Sequence, residues 1–238
     1  MYLTTTRESL ATAVGLVQRA IPSRTPLPVL GGVLLDGRED RLVLTGSDLE
    51  LVISTSVPAQ VTSPGRLVLP ARYLADIVRR LPDGPVEIEA AADGSGATLR
   101  YGNAHARLSG FPTQDYPELP DVAPQVQFSL PLEICRELVR QVIYAAGQDE
   151  LRPIFTGVLL EIVEGEVRMV ATDTHRLALK RHRLPDSDVE LTNVVIPAKA
   201  INELYRALGV FEGDVLVDVA PNHVAFRCGS LCIITRLI

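Results

Sequence analysis

Displaced by about 125 positions the sequence lies over itself, and this internal duplication constrains the fold more than any single motif does. Leu27-Pro28-Val29-Leu30-Gly31-Gly32-Val33-Leu34-Leu35 returns as Arg152-Pro153-Ile154-Phe155-Thr156-Gly157-Val158-Leu159-Leu160, and Thr45-Gly46-Ser47-Asp48-Leu49 returns as Val170-Ala171-Thr172-Asp173-Thr174, both at an offset of 125. Val68-Leu69-Pro70-Ala71-Arg72 answers Val195-Ile196-Pro197-Ala198-Lys199, and Tyr101-Gly102-Asn103 answers Cys228-Gly229-Ser230, at an offset of 127. A two-residue insertion in an intervening loop explains the step. The first repeat ends near Phe111, which falls on Ile238, so the expectation is two domains, residues 1–120 and 121–238, each large enough for its own core.

With 47% hydrophobic and 22% charged residues the chain has the composition of a soluble globular protein. No apolar run approaches the roughly 18 residues of a membrane span, and the N-terminus has no basic segment followed by an apolar one, so a cytoplasmic protein is expected. The three cysteines, Cys135, Cys228 and Cys232, suit a reducing compartment. Cys228 and Cys232 stand four apart in what the pattern predicts as one strand, hence on one face. None of His105, His175, His182 and His223 forms a ligand-spaced pair with them. All three are expected as small buried hydrophobes, with no metal and no cofactor.

Apolar residues at Leu10, Val14, Val17 and Ile21 predict a helix over Arg7 to Ile21 after a short first strand. Val29–Leu35, Arg41–Thr45 and Leu49–Ser56 predict three strands separated by turn formers. The unit then recurs: strand Arg66–Leu69, helix Ala71–Leu81 with Leu74, Ile77, Val78 and Leu81 inward, and strands near Val86–Glu89, Ala97–Tyr101 and His105–Ser109. The second repeat places helices at Leu132–Ala146 and Ala198–Leu208. Each domain therefore reads as strand-helix-three-strands, twice. That gives four helices and about sixteen strands in an α+β layer arrangement, with antiparallel sheets and the helices on one side. Three prolines between Phe111 and Pro120 predict an extended connector.

The net charge of −6 by itself argues against nucleic acid, but its distribution does not. Residues 6–21 carry +1, 71–81 carry +2, 131–146 carry zero and 198–208 carry +1, which leaves −10 for everything else. An acidic body with mildly basic helices suits a protein of which one face meets phosphate. With about four phosphates neutralised, log K would fall with a slope of roughly −3 to −4 against log salt, a weak and sequence-independent attachment. Solvated helix faces account for the same charges without a ligand.

Thr25-Pro26-Leu27-Pro28-Val29-Leu30, Leu44-Thr45-Gly46-Ser47-Asp48-Leu49-Glu50, Leu69-Pro70-Ala71-Arg72, Asp115-Tyr116-Pro117 and Ala171-Thr172-Asp173-Thr174-His175-Arg176-Leu177-Ala178 stand in order along the duplicated frame. Together they resemble the bacterial DNA polymerase III beta subunit family, the sliding clamps, over the N-terminal and central domains. The resemblance implies a clamp fold with helices on the inner face and sheets outside, six domains to a ring, and a processivity factor that encircles duplex DNA without catalytic activity. Members carry three domains and pair head to tail as dimers. The resemblance thus implies that the third domain is absent from this chain, and a two-domain subunit would complete six domains as a trimer.

Carried over by residue, the resemblance implies sequence-independent contact with duplex DNA at Arg24, Gln148 and Arg152, and more loosely at Arg72, Arg79, Arg80, Arg136, Arg140, Lys199 and Arg206 of the inner helices. It implies one wall of a pocket for short apolar peptides of the replicative polymerase, the clamp loader and repair proteins at Phe155, Thr172, Thr174, His175, Arg176 and Leu177. It places Ala106 and Leu108 at the head-to-tail subunit interface. The alternative is a two-domain clamp-like scaffold or regulatory protein that binds partners without encircling DNA.

An enzyme reading would take Asp173 and His175 as an acid–base pair with Thr172 or Thr174 as nucleophile. In a strand, however, Asp173 and His175 share one face and the threonines the other. Phosphate-binding glycine motifs are missing, and Gly94-Ser95-Gly96 reads as a hairpin turn. Asp48 repeats Asp173 whereas Glu50 stands at the position of His175, so the aspartate is expected to be structural and His175-Arg176 peculiar to the second domain.

Overall fold

The computed structural model describes residues 1–184, 189 and 191–238, apart from the side chains of residues 191 and 192. It divides into two units, Met1–Leu119 and Pro120–Ile238. Unit 1 runs β1 (Tyr2–Thr6), α1 (Arg7–Val17), β2 (Gly32–Arg38), β3 (Arg41–Ser47), β4 (Leu51–Pro58), β5 (Gln60–Ser63), β6 (Gly65–Pro70), α2 (Ala71–Arg80), β7 (Pro85–Ala90), β8 (Gly96–Tyr101) and β9 (Ala104–Ser109). Its strands pair in the orders β5-β1-β7-β8-β9 and β4-β3-β2-β6. Unit 2 runs β10 (Val126–Pro131), α3 (Leu132–Val142), β11 (Gly157–Val163), β12 (Glu166–Thr172), β13 (Leu177–Arg183), β14 (Leu191–Pro197), α4 (Ala198–Ala207), β15 (Asp214–Val219), β16 (His223–Cys228) and β17 (Leu231–Arg236). Its orders are β10-β15-β16-β17 and β13-β12-β11-β14. The pairings within both units are antiparallel, the α+β arrangement expected of short strands joined by tight turns.

Proline sets the strand-to-helix corners. Pro70, Pro131 and Pro197 each close a strand and stand at the N-cap of α2, α3 and α4 with φ of −56°, −53° and −52°. The ring fixes φ and supplies no N–H that would need a partner there. The first helix has Thr6 instead, whose hydroxyl accepts from the backbone N–H of Ser9 at 3.2 Å.

Each helix buries its apolar stripe against a sheet and the other helix of its unit. Leu10, Val14 and Val17 of α1 are buried where it packs on β3, β4 and α2, and Leu138, Val139 and Val142 of α3 are buried where it packs on β12, β13 and α4. In unit 1 the approach is close enough to exclude a side chain, since a Cβ on Gly46 of β3 would lie 2.3 Å from the carbonyl oxygen of Val17. The repeat places Ala171 at the equivalent position of unit 2, buried on β12.

Several expectations need correction. The α-helical parts of α1, α3 and α4 stop at Val17, Val142 and Ala207, and 3-10 turns at Gln18–Ala20, Ile143–Ala145 and Leu208–Val210 follow; Ile77 is only half-buried. Among the described residues there are seventeen strands, because Gln60–Ser63, a short β-branched run, pairs with β1. Leu49 belongs to a turn rather than to β4, with φ of 80°. Cys228 and Cys232 lie on neighbouring strands, not on one face of a single strand. Cys228 pairs with Leu231 and is buried, whereas Cys232 pairs with Arg227 and is half-buried. The stretch after β9 is packed rather than a bare extended connector, because its aromatic side chains find an apolar face. Phe111 donates its N–H to Val68, and buried Tyr116 joins Val29, Leu30, Leu34 and Val68, with its hydroxyl 3.4 Å from the carbonyl oxygen of Thr45. Burial pushes the Tyr116 phenol up to about 12.

The Val17 contact predicts that Gly46→Ala destabilises unit 1 by roughly 1–3 kcal/mol, the usual range for overpacking against atoms that cannot move aside. Urea unfolding followed by amide exchange in β3 and α1 measures it. A substitution that leaves the midpoint unchanged would show that α1 is free to shift.

Candidate functional site

Asp173-Thr174-His175-Arg176 is a turn that joins β12, which ends at Thr172, to β13, so the expected sorting of these residues onto two faces of a strand does not hold. Asp173 Oδ1 accepts from the backbone N–H groups of His175 and Arg176, both at 3.0 Å, and Oδ2 accepts from Arg176 Nε at 2.9 Å. Thr172 Oγ1 accepts from the Thr174 N–H at 3.3 Å and donates to the Arg176 carbonyl at 2.8 Å. Thr174 takes φ of 77°. Hydrogen bonds from the Arg176 backbone, and then from that of His175 and the Arg176 guanidinium, hold the Asp173 carboxyl below the ordinary carboxylate value.

Unit 1 repeats this turn almost bond for bond. Asp48 Oδ1 accepts from Glu50 and Leu51 at 3.0 and 2.7 Å, Ser47 Oγ accepts from Leu49 at 3.1 Å, and Leu49 takes φ of 80°. The aspartate is therefore a turn former in both units. In unit 2 it engages His175 through the backbone N–H, which is structural work rather than acid–base chemistry.

The unit 2 turn displays its side chains. Thr174, His175 and Arg176 are exposed and Leu177 is 66% exposed, while Thr172 is half-buried. Gly147 brings half-buried Phe155 to the same place: its N–H donates to the Phe155 carbonyl at 2.7 Å, and a Cβ on it would lie 3.4 Å from Phe155 Cβ and 3.6 Å from Asp173 Cβ. The six residues carried over as a peptide-binding wall thus gather around the β12–β13 turn and the start of β11.

The cations carried over as DNA contacts lie on or beside the helices. Arg24 is exposed in the segment between α1 and β2, and Gln148 and Arg152 are exposed in the equivalent segment of unit 2. Arg72, Arg79 and Arg80 are exposed on α2, Arg140 on α3, and Lys199 and Arg206 on α4. Half-buried Arg136 lies 3.8 Å from Glu133 and 5.4 Å from the Tyr205 ring centroid, and Arg206 lies 3.2 Å from Glu203. Acidic neighbours therefore offset much of the charge of the unit 2 helices. Ala106 and Leu108 are half-buried on β9, an edge strand of its sheet within unit 1. Among the described residues no group of three or more potential ligands could hold a metal ion, and no helix is long and apolar enough to cross a membrane.

The sequence matches the model of the DNA polymerase III beta subunit N-terminal domain over residues 1–120 and that of its central domain over residues 129–238. The chain belongs to the DNA polymerase III beta subunit family. The Beta sliding clamp of Staphylococcus epidermidis is 33% identical over 246 residues, an alignment that covers 100% of this chain and 65% of that protein. The sliding clamp of Bacillus subtilis superimposes with a TM-score of 0.95 at 32% identity, covering 100% of this chain and 64% of that one. A Pseudomonas aeruginosa sliding clamp bound to griselimycin superimposes with a TM-score of 0.93 at 32% identity over the same shares. The chain thus spans just under two thirds of the length of these family members, and its fold is the clamp fold.

Sequence reasoning passed over two residues of the turn's surroundings. Tyr144, 60% exposed, lies with its ring centroid 5.9 Å from the Arg176 guanidinium carbon, and Gly147 makes the close approach to Phe155 possible. The signal for Tyr144 was its place off the apolar stripe of α3 in a chain with only six tyrosines.

Because the folded carboxyl of Asp173 titrates below its unfolded value, its stabilisation of the turn is complete above the unfolded value of about 3.9 and is lost as pH falls through the folded one. The His175 and Arg176 backbone amide signals should therefore show a shared transition in the acid range, below about pH 5. In Asp173→Asn that shared acid transition should vanish. An acid transition that survives the substitution would assign it to another group.

Proposed function

We propose that this chain works as part of a DNA sliding clamp, a processivity factor that encircles duplex DNA and tethers the replicative polymerase, the clamp loader and repair proteins through a peptide-binding surface. The observation that carries this reading is the superposition of the whole chain on sliding clamps, with a TM-score of 0.95 for that of Bacillus subtilis. In this reading the helices face the DNA and the sheets lie outside, the units are the N-terminal and central clamp domains, and Ala106 and Leu108 meet another subunit. The protein carries out no chemistry of its own and acts in the cytoplasm.

The peptide surface is read at Phe155, Thr172, Thr174, His175, Arg176 and Leu177. Exposed leucine beside a rigid turn suits a mostly apolar peptide, and the turn's guanidinium suits an oxygen acceptor of its backbone. DNA contact is read at Arg24, Arg72, Arg79, Arg80, Arg136, Arg140, Gln148, Arg152, Lys199 and Arg206, with phosphate as the ligand and no base readout.

Two experiments test this. In titration calorimetry with a synthetic peptide carrying the clamp-binding segment of the replicative polymerase, His175→Ala and Arg176→Ala should each weaken binding by about 2- to 10-fold, the effect of one lost hydrogen bond, with unchanged circular dichroism. Unchanged affinity in both would remove the peptide assignment. For DNA, the ion pairs on the unit 2 helices predict unequal contributions. Arg79→Gln with Arg80→Gln should lower the salt slope of duplex binding by about 1 to 2, and Arg136→Gln with Arg206→Gln by less. Equal losses would show that the acidic neighbours do not matter.

A further inference from the structure

The Arg176 guanidinium is held from two directions by two different elements. Its Nε donates to Asp173 within the β12–β13 turn at 2.9 Å, and its plane lies by the ring of Tyr144, which projects from the 3-10 turn after α3, with Cζ 5.9 Å from the ring centroid. Both side chains stand at the surface, Arg176 57% and Tyr144 60% exposed. With Nε engaged by Asp173, recognition of an incoming acceptor falls to the two terminal nitrogens. A flexible arginine loses rotamer freedom on binding, and one that is already fixed loses less.

The duplication supplies an internal comparison. The residue of unit 1 equivalent to Arg176 is Leu51, which is buried, and the residue equivalent to Tyr144 is Arg19. The aspartate turn occurs in both units, but the arginine and the aromatic ring beside it occur together only in unit 2. A tyrosine that served only to cover the end of a helix would not need to track the arginine.

We propose that Tyr144 is a positioning residue for Arg176: its ring fixes the guanidinium over the β12–β13 turn, so that the terminal nitrogens are presented to an oxygen acceptor of a bound peptide. This rests on the peptide-binding reading above. The ring, not the phenol hydroxyl, does the positioning, so phenylalanine at 144 should serve as well.

The test is calorimetry of the full chain with the same synthetic polymerase peptide, joined to the NMR signal of Arg176 Nε–H in the free protein. Tyr144→Leu should weaken the peptide by about 2- to 5-fold, as expected for an exposed cation–ring contact, and should move the Nε–H signal through loss of the ring current. Tyr144→Phe should restore both. In an Arg176→Ala background, Tyr144→Leu should have no further effect, because the ring acts through the arginine. Additive losses would overturn the positioning role and make Tyr144 a direct contact, and full affinity in Tyr144→Leu would overturn it outright. A wild-type chain with the ring-current shift but no affinity for the peptide would overturn the peptide-binding reading and this proposal with it.

Discussion

Each helix of this chain has a single apolar stripe and buries it against a sheet and the neighbouring helix of its unit, and the placement of charge follows from that. On α2, Leu74, Ala75 and Val78 are buried, so Arg72, Arg79 and Arg80 have only the opposite face. Burial of one leucine side chain is worth about 1.5–3 kcal/mol, whereas an exposed ion pair contributes about 0–1 kcal/mol. The orientation of the helix is therefore decided by its apolar residues, and the cations go where that orientation leaves them. What the sequence is free to vary is the company they keep. Glu133 and Glu203 stand beside arginines on α3 and α4, and Glu137 pairs with Lys180 of β13 at 2.8 Å.

The aspartate turns are the second constraint. A non-glycine residue at positive φ costs roughly 1–2 kcal/mol, and Leu49 and Thr174 both bear it. Two backbone N–H groups held by one carboxylate offset that strain, which explains why the aspartate recurs while its neighbours do not. A fixed backbone frees the side chains it carries for other uses. In unit 2 the carboxylate has a further task, since its second oxygen holds the Arg176 guanidinium.

The duplication, the helix stripes and the succession of strands and helices along the chain, Gln60–Ser63 excepted, were legible in the sequence because each rests on a periodicity of several residues. The turn after β3 was legible as well, in Gly46-Ser47-Asp48, although β3 itself runs on to Ser47. Its counterpart in unit 2 was not: Ala171-Thr172-Asp173 lacks the glycine and serine that mark the turn in unit 1, and Asp173 and His175 read as strand residues. Cys228 and Cys232 were assigned one strand although Gly229 turns the chain between them at φ of 55°. His175-Arg176 stood out against the first repeat, whereas Phe155, Thr172, Thr174 and Leu177 were legible as site residues only through the resemblance. Tyr144 was legible only as an aromatic side chain off the apolar stripe, because its relation to Arg176 is made by the packing of the 3-10 turn after α3 on β12 and β13.

A duplicated chain carries its own control. What the two units share, such as the aspartate turn, answers a need of the fold; what differs must be explained by something else. Gly46 against Ala171 is explained by packing, since the Val17 carbonyl leaves no room for a Cβ in unit 1. Leu177 against Val52 is not. Val52 is 3% exposed, whereas Leu177 is 66% exposed and has Tyr144 and Leu179 as further exposed apolar side chains in the same unit. Among the described residues of unit 2 none makes use of an exposed leucine at 177, and a polar residue there would serve the hairpin as well. On the peptide-binding reading proposed above, an exposed leucine beside a guanidinium bonded to Asp173 suits an apolar chain that brings its own oxygen acceptors. On that reading the difference between the repeats points to the candidate site better than either repeat alone.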